Sequence, residues 1–113
     1  MGATASPVSK KARYYIRVNA DGTIANQFGE ALLTVGIAAS VYTITMPAGH
    51  TIPINRRSLT LTADVPVGSL GNSATYDSAA SAAGTIVVRG AAFGGGASNT
   101  AFDLVIEEVM VPA

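Results

Sequence analysis

The sequence has no cysteine and no tryptophan, and only 12% of its 113 residues are charged. Without cysteine there is neither a disulfide nor a thiolate nucleophile, and the redox compartment cannot be inferred. Seven basic and seven acidic side chains cancel, so the basic excess with which nucleic-acid and anionic-membrane binders neutralise phosphates is missing. The longest apolar stretch, residues 31–41, is far shorter than the roughly 20 residues that span a bilayer. We therefore expect neither a nucleic-acid partner nor a membrane partner.

The composition instead favours a surface of small, weakly polar side chains. Globular domains contain about 25% charged residues, so this chain has about half the usual supply of solvating groups. Much of its surface must then be Ala, Gly, Ser and Thr. Such a surface suits a protein that is covered by copies of itself or by partners.

Apolar and polar residues alternate with a period of two from Ala12 onward, and turns rich in Gly and Pro separate the alternating segments. This pattern predicts an all-β fold, an antiparallel β-sandwich or jelly roll of about eight strands. Residues 1–11 are expected to form an extended N-terminal arm, and residues 12–113 a single domain. The inward-facing positions predict this core: Tyr14, Ile16, Val18, Tyr42, Ile44, Leu59, Leu61, Val87, Phe102, Leu104 and Ile106.

Three local features interrupt the strand pattern. Residues 19–22, Asn-Ala-Asp-Gly, predict a turn in which Gly22 supplies a positive φ. Gly90 weakens a strand and favours a bulge there. Glu107 and Glu108 break the alternation of the last strand, which predicts a bulge or the end of the sheet at one of them.

The few charges are divided between the two halves of the chain. Residues 1–63 carry six basic and two acidic side chains, whereas residues 64–113 carry one basic and five acidic ones. A first strand with Arg13 and Arg17 would complement a last strand with Asp103, Glu107 and Glu108, because opposite charges on paired strands attract. The charges meet either between adjacent strands of one sheet or between subunits of a ring, and the sequence allows both.

No set of residues predicts catalysis or metal binding. His50 is the only histidine and follows a Pro-Ala-Gly loop, so we expect a solvent-exposed turn residue, and a zinc site would need three or four ligands. Asn19, Asp21 and Gly22 lack the other ligands of a calcium loop, and a hairpin turn explains them better. We therefore predict a protein that is not an enzyme and has no cofactor, no metal and no small-molecule ligand.

Two pairs of neighbouring charges also have structural explanations. Glu107 and Glu108 point to opposite faces of a strand and cannot act together as the acid and base of a glycosidase. Arg56-Arg57 could join Lys10-Lys11 in a basic patch, for which we expect a solvated or subunit-bridging role.

Residues 12–47 contain a strand that ends in Asn, an Asp-Gly-Thr turn and a Tyr-Thr-x-Thr strand that enters a Pro turn. The residues that carry this order are Val18, Asn19, Asp21, Gly22, Thr23, Val35, Tyr42, Thr43, Ile44 and Thr45. The segment resembles the small β domains at the ends of bacteriophage tail fibres. The closing residues 101–109, AFDLVIEEV, resemble the final strand of trimeric jelly-roll heads of the complement and tumour-necrosis type.

Tail-fibre domains cap a long repetitive shaft, which this sequence lacks, and we expect a complete small gene product. In size, in its lack of cysteine and in its arm, the chain is similar to a capsid decoration (cement) protein. This resemblance implies a homotrimer in the virion, on the capsid surface, with the major capsid protein as partner. Pro7, Lys10 and Lys11 of the arm would then contact a neighbouring subunit or the shell.

Two other functions remain open. The first is a tail-fibre or tail-tip receptor-binding head that recognises a host surface glycan or protein. The second is a carbohydrate-binding module, against which the absence of Trp argues, since such modules bind sugars on exposed aromatic platforms.

Overall fold

The computed structural model of the protein describes residues 9–64, 72–92 and 96–110. These residues form eight strands and one turn of 3₁₀ helix at Ile54–Arg56. The strands are β1 Ser9–Val18, β2 Ile24–Gly29, β3 Thr34–Ala38, β4 Val41–Thr45, β5 Arg57–Asp64, β6 Ser73–Tyr76, β7 Thr85–Ala91 and β8 Ala101–Met110.

The strands form two four-stranded antiparallel sheets that pack as a sandwich. Sheet A has the order β2-β1-β8-β5, and sheet B has the order β3-β4-β7-β6. The connections β2–β3, β4–β5, β5–β6 and β7–β8 cross from one sheet to the other. The predicted antiparallel β-sandwich of about eight strands is confirmed. The first and last strands are neighbours, paired from Ser9↔Met110 to Val18↔Phe102.

The core lies between the sheets, where the period-two pattern placed most of it. The buried residues that were predicted are Tyr14, Ile16, Val18, Tyr42, Ile44, Phe102, Leu104 and Ile106. Leu59 and Leu61 are half-buried and pack against this cluster from the edge strand β5. The core also contains Leu33, Met46 and Ile52, which lie outside the strands.

Val87 is buried, as predicted, but it lies outside the main core cluster. Ile86 and Val88 belong to the core cluster, so Val87 points to the outer face of sheet B, where it pairs with Thr43. Val87 is only 5% exposed. The Ser81 hydroxyl accepts a hydrogen bond from the Val87 amide at 2.9 Å.

The two predicted strand irregularities have different outcomes. The register of β7 with β4 and with β6 is continuous, so there is no bulge at Gly90. Glycine is needed there because a Cβ atom would collide with the carbonyl oxygen of Ser98. A register irregularity does lie beside Glu107, as predicted: Glu107 pairs with Ala12, the next pair is Tyr14↔Ile106, and the extra residue is on β1.

The N-terminal boundary of the domain lies earlier than expected. β1 begins at Ser9, so Lys10 and Lys11 are strand residues opposite Val109 and Glu108, not part of an arm. Pro7 lies outside the described residues. The turn at residues 19–22 is confirmed: Gly22 has a φ of 88°, and the Gly22 amide donates to the Asn19 carbonyl at 2.9 Å.

Candidate functional site

The outer face of sheet A carries an aromatic patch, which we define as the exposed Phe28 and the half-buried Tyr15 and Val105. Because Tyr14 and Ile16 of β1 point into the core, Tyr15 between them faces outward. The register places Phe28 of β2 on one side of Tyr15 and Val105 of β8 on the other. The Tyr15 and Phe28 ring centroids are 6.0 Å apart with the planes tilted by 31°, which is within the range of favourable aromatic pairs.

The aromatic patch lines a shallow, mainly apolar groove of about 210 Å³, together with Ala12, Arg13, Tyr14 and Gly29. The Phe28 side chain is 65% exposed, which is unusual for a phenylalanine beside a sheet core. Unlike Tyr14 and Ile16, Phe28 contributes little to the packing of the domain. The arrangement can therefore bind another apolar surface without disturbing the sandwich.

A charge network borders the aromatic patch on the same face. Arg17 of β1 forms ion pairs with Asp103 of β8, at 2.9 Å, and with Asp64 of β5. The Tyr15 hydroxyl donates to Asp103 Oδ1 at 2.9 Å, and this hydrogen bond raises the pKa of Tyr15. The carboxylates of Asp64 and Asp103 thus share one guanidinium, and the three groups together carry a formal charge of minus one.

A second network lies where β1, β2 and β8 meet the loop before β5. Arg13 is the centre: its Nε donates to Glu30 at 2.6 Å, and its guanidinium also binds Glu108. Only 11% of the Arg13 side chain is exposed. The hydrogen bond from Arg13 lowers the pKa of Glu30. Arg56 lies 3.9 Å from Glu108, and His50 Nδ1 lies 3.4 Å from Glu30.

Four of the five residues named for charge pairing meet across the β1–β8 pair. Arg13 binds Glu108 and Arg17 binds Asp103, so these charges are paired between adjacent strands of one chain. Glu107 lies opposite Ala12 and Ser58 and forms no ion pair with the described residues. This is the first of the two arrangements that the charge distribution allowed.

The two lysines named as arm contacts are exposed at the open end of β1. Lys10 and Lys11 form no ion pair within residues 9–64, 72–92 and 96–110. β2 reaches only to Tyr14 of β1, through the pair Tyr14↔Gly29, so the lysines lie beyond the end of β2. They are available to a partner, although they lie in a strand and not in an arm.

Arg57 is not part of a basic patch. Its guanidinium donates to the carbonyl oxygens of Ile52 (2.9 Å), Ala83 (2.9 Å) and Thr85 (2.8 Å), and also to that of Ala82. These bonds tie the start of β5 in sheet A to the loop before β7 in sheet B. The guanidinium is therefore used inside the domain and is not free to bind a partner.

Phe28 and Glu30 are the site residues that sequence reasoning missed. Phe28 lies in the polar context Asn-Gln-Phe-Gly-Glu, which does not indicate a binding surface. A lone aromatic residue at an outward position of a strand was the available signal. Glu30 gave none, because its partner Arg13 is distant in sequence and meets it only through the β1–β2 pairing.

His50 and Asp21 are the isolated polar residues for which the sequence predicted a turn. The His50 side chain is 45% exposed, as expected for a turn residue. Asp21 Oδ1 accepts hydrogen bonds from the amide (3.0 Å) and the hydroxyl (2.6 Å) of Thr23, which closes the turn locally.

Two searches of the described part of the chain gave negative results. In it, no three His, Asp or Glu side chains come together as a possible metal site. Nor does it contain a helix whose length and apolar content would let it cross a membrane. Comparison of the chain with protein-family models, curated proteins and solved structures finds no match.

Proposed function

We propose that the chain is a non-enzymatic virion structural protein, a capsid decoration protein that binds and stabilises a phage head as a homotrimer. The observation that carries the proposal is the aromatic patch with its exposed Phe28, on a sheet face where Arg17 is already paired with Asp103 and Asp64. A face of this kind is suited to contact another protein surface. The virion, the trimer and the capsid partner come from the sequence resemblance.

The patch offers binding energy that the folded monomer does not use. Complete burial of a phenylalanine side chain stabilises by about 1.5–3 kcal/mol. With 65% of Phe28 exposed, about 1–2 kcal/mol remains available for association in each subunit. Tyr15 and Val105 extend the same surface. Because Arg17 already neutralises much of the charge beside them, few unpaired charges have to be desolvated when the face is covered.

The low charge of the chain also fits attachment to a shell. A weakly charged surface gains little from long-range attraction, so each contact is expected to be weak by itself. Linking the subunits in a trimer that touches several capsid subunits at once would raise the overall affinity by avidity. The exposed Lys10 and Lys11 add a local positive charge at the open end of β1, to which carboxylates of a neighbouring surface could bind.

Sedimentation velocity of the purified chain at micromolar concentration tests the trimer. We expect a species near three times 11.4 kDa. Phe28→Ser should shift it to monomer with an unchanged far-ultraviolet circular dichroism spectrum, because Phe28 is mostly exposed. Ile54→Ser is the matched control, since Ile54 is exposed but lies in the 3₁₀ turn. A wild-type monomer, or equal effects of both variants, would contradict the role of the patch.

Immunogold labelling of virions tests the location. Label on the head supports the decoration function, whereas label at the tail tip together with glycan-array binding supports the receptor-binding alternative. Deleting residues 1–8 keeps all of β1 and should lower occupancy on capsids without unfolding the domain. Equal occupancy would show that this segment is not a capsid contact.

A further inference from the structure

The two sheets have four edge strands, and three of them carry features that block pairing with another strand. β2 has an irregular register with β1, shifted between Arg17 and Val18, and the Gln27 side chain turns aside to bind the backbone of Leu33. β5 begins with Arg57 and ends with Asp64, and it lies against β6 of the other sheet. β6 has only four residues and is followed by Asp77. Bulges, charges and short length are the common means by which sheet edges avoid intermolecular pairing.

β3 is also short, but it has neither a register irregularity nor a charged residue. Its five residues, Thr34–Ala38, pair with β4 in a continuous register, and all except Val35 are exposed. Residues 31–55 contain no Asp, Glu, Lys or Arg, and β3 contains no proline. In the described part of the chain, β3 is therefore the edge that is open to strand addition.

The conformation of β3 is also fixed before any partner arrives. Ala38 pairs with Val41, so a turn of two residues, Ala39 and Ser40, joins β3 to β4. Both turn residues have positive φ, 49° and 67°, the pattern of a hairpin turn whose twist matches that of the strands. The Ser40 hydroxyl bonds to Asn99 Oδ1 at 2.7 Å, which anchors the turn to the segment before β8. A rigid edge loses little conformational entropy on pairing.

We infer that β3 pairs antiparallel with β3 of a second copy of the chain, centred on Gly36. In this register Gly36 faces its own copy, Thr34 faces Ala38, and Val35 faces Ile37. The strand is self-complementary because no charges oppose each other and because small residues alone meet on the outer face. The 37%-exposed Ile37 would gain an apolar neighbour. The result is one continuous sheet of eight strands across two subunits.

This contact is separate from the aromatic patch, which lies on the other sheet, and the inference does not depend on the trimer. A pair of five-residue strands buries well below the roughly 1,000 Å² that a stable free complex needs. The pairing is therefore weak between free chains. It becomes effective where other contacts already hold copies side by side, because the local concentration is then high.

Single-cysteine variants test the register directly, because the chain has no cysteine of its own. In the proposed pair the two Gly36 Cα atoms are about 4.5–5.5 Å apart, within disulfide range. Each Thr34 lies about 13 Å along the strand from its own copy, and so does each Ala38. Under mild oxidation Gly36→Cys should form covalent dimers about tenfold faster than Thr34→Cys or Ala38→Cys alone, since only its sulfurs are opposed. A mixture of Thr34→Cys and Ala38→Cys should cross-link rapidly.

A charge at the centre of the pair supplies the second test. A Cβ atom at Gly36 would meet nothing within 4 Å, so Gly36→Lys should fold normally. It would place two like charges opposite each other and should abolish the self-association that sedimentation detects at high concentration. Gly36→Thr is the matched control, with a strand-favouring uncharged side chain, and should retain the association.

The outcomes separate this inference from the proposed function. With one cysteine per chain the covalent product is a dimer in every case. In the Phe28→Ser background, native sedimentation of oxidised Gly36→Cys should therefore show dimers only, whereas trimers joined by these disulfides should sediment as larger assemblies. Similar cross-linking rates for the three single variants would overturn the inference, because they would indicate random collision or a parallel pair. Capture of an uncharged extended peptide by β3 without Gly36 cross-linking would also overturn it.

Discussion

Tyr42 provides the sharpest test of how this fold is held together. The side chain is completely buried, and its hydroxyl makes two hydrogen bonds to the backbone. It donates to the Ala20 carbonyl at 2.7 Å and accepts from the Thr100 amide at 2.9 Å. One phenol oxygen thus joins the β1–β2 turn to the start of β8. Its ring meets that of Phe102 edge-on, with centroids 5.2 Å apart.

Tyr42→Phe removes the oxygen and keeps the ring, so no large cavity forms and the effect comes from the hydrogen bonds. A buried donor or acceptor that loses its partner costs about 1–3 kcal/mol. Thr100 is only 2% exposed, so water cannot easily replace the lost bond to its amide. We expect the free energy of unfolding to fall by about 2–4 kcal/mol, allowing for partial relaxation around Ala20.

Tyr14→Phe is the matched control. Tyr14 is also buried, but its hydroxyl makes a single bond, to the His50 carbonyl at 2.7 Å, in a partly exposed loop. We expect a loss of about 1 kcal/mol. Urea unfolding followed by circular dichroism measures both variants, in the Phe28→Ser background to remove any contribution from association. Equal losses for the two variants, or a loss below about 1 kcal/mol for Tyr42→Phe, would refute the conclusion that the Tyr42 hydroxyl stabilises the fold through two hydrogen bonds.

Three further changes can be measured by the same urea unfolding. Arg57→Lys should lower the free energy of unfolding by about 2–3 kcal/mol, because an ammonium cannot bridge the separate carbonyls that the guanidinium reaches; an unchanged midpoint would contradict this. Gly90→Ala should lower the free energy of unfolding by about 1–3 kcal/mol, because the added Cβ would collide with the Ser98 backbone. Gly36→Ala, whose Cβ would meet nothing within 4 Å, should not lower it. Similar losses for the two variants would contradict the close approach of Ser98 to Gly90. Because hydrogen bonds from Arg13 and Arg89 lower the pKa values of Glu30 and Asp77, stability should be retained above their ordinary pKa values, near 4, and fall as the pH drops through the lowered ones. A midpoint constant from neutral pH to pH 3 would refute that linkage.

The alternation of apolar and polar residues predicted most of the core, because successive side chains of a strand point to opposite faces. It failed in the segment Ile86-Val87-Val88, where three apolar residues in a row leave both faces equally apolar. There the pairing with β4 decides which face is inward, because Ile86 and Val88 lie opposite the buried Ile44 and Tyr42. Met46 continues the alternation of Tyr42 and Ile44 one residue beyond β4, whereas Leu33 and Ile52 lie in connections between strands.

The positions with special backbone roles show a similar limit. Gly22 was predictable, because its positive φ belongs to a local turn signalled by the surrounding residues. Gly90 was misread, because the reason for glycine there is the Ser98 backbone, which approaches only in the folded chain. The register shift beside Arg13 arises from the pairing of β1 with β8, which no local sequence pattern encodes.

The charge distribution predicted partners for Arg13 and Arg17 because complementary strands were both present in the sequence. The aromatic patch was harder to predict, since Phe28 became exposed through two nonlocal facts. β2 is at the edge of sheet A, so that nothing covers its far side, and the shifted register with β1 decides the face on which Phe28 lies. Neither fact follows from the period of a six-residue strand.

The small number of charged residues affects both proposed contact surfaces, the aromatic patch and the β3 edge. Four of the five arginines bind groups within the chain: three form ion pairs (Arg13, Arg17 and Arg89), and Arg57 donates to backbone carbonyls. These four side chains therefore stabilise the single folded chain. The patch and the β3 edge are left without charged side chains of their own. A surface that lacks charge loses the repulsion that keeps most proteins apart. In this chain, two such surfaces lie on different sheets and use different chemistry, apolar burial and backbone pairing, so that one copy can make both contacts at once.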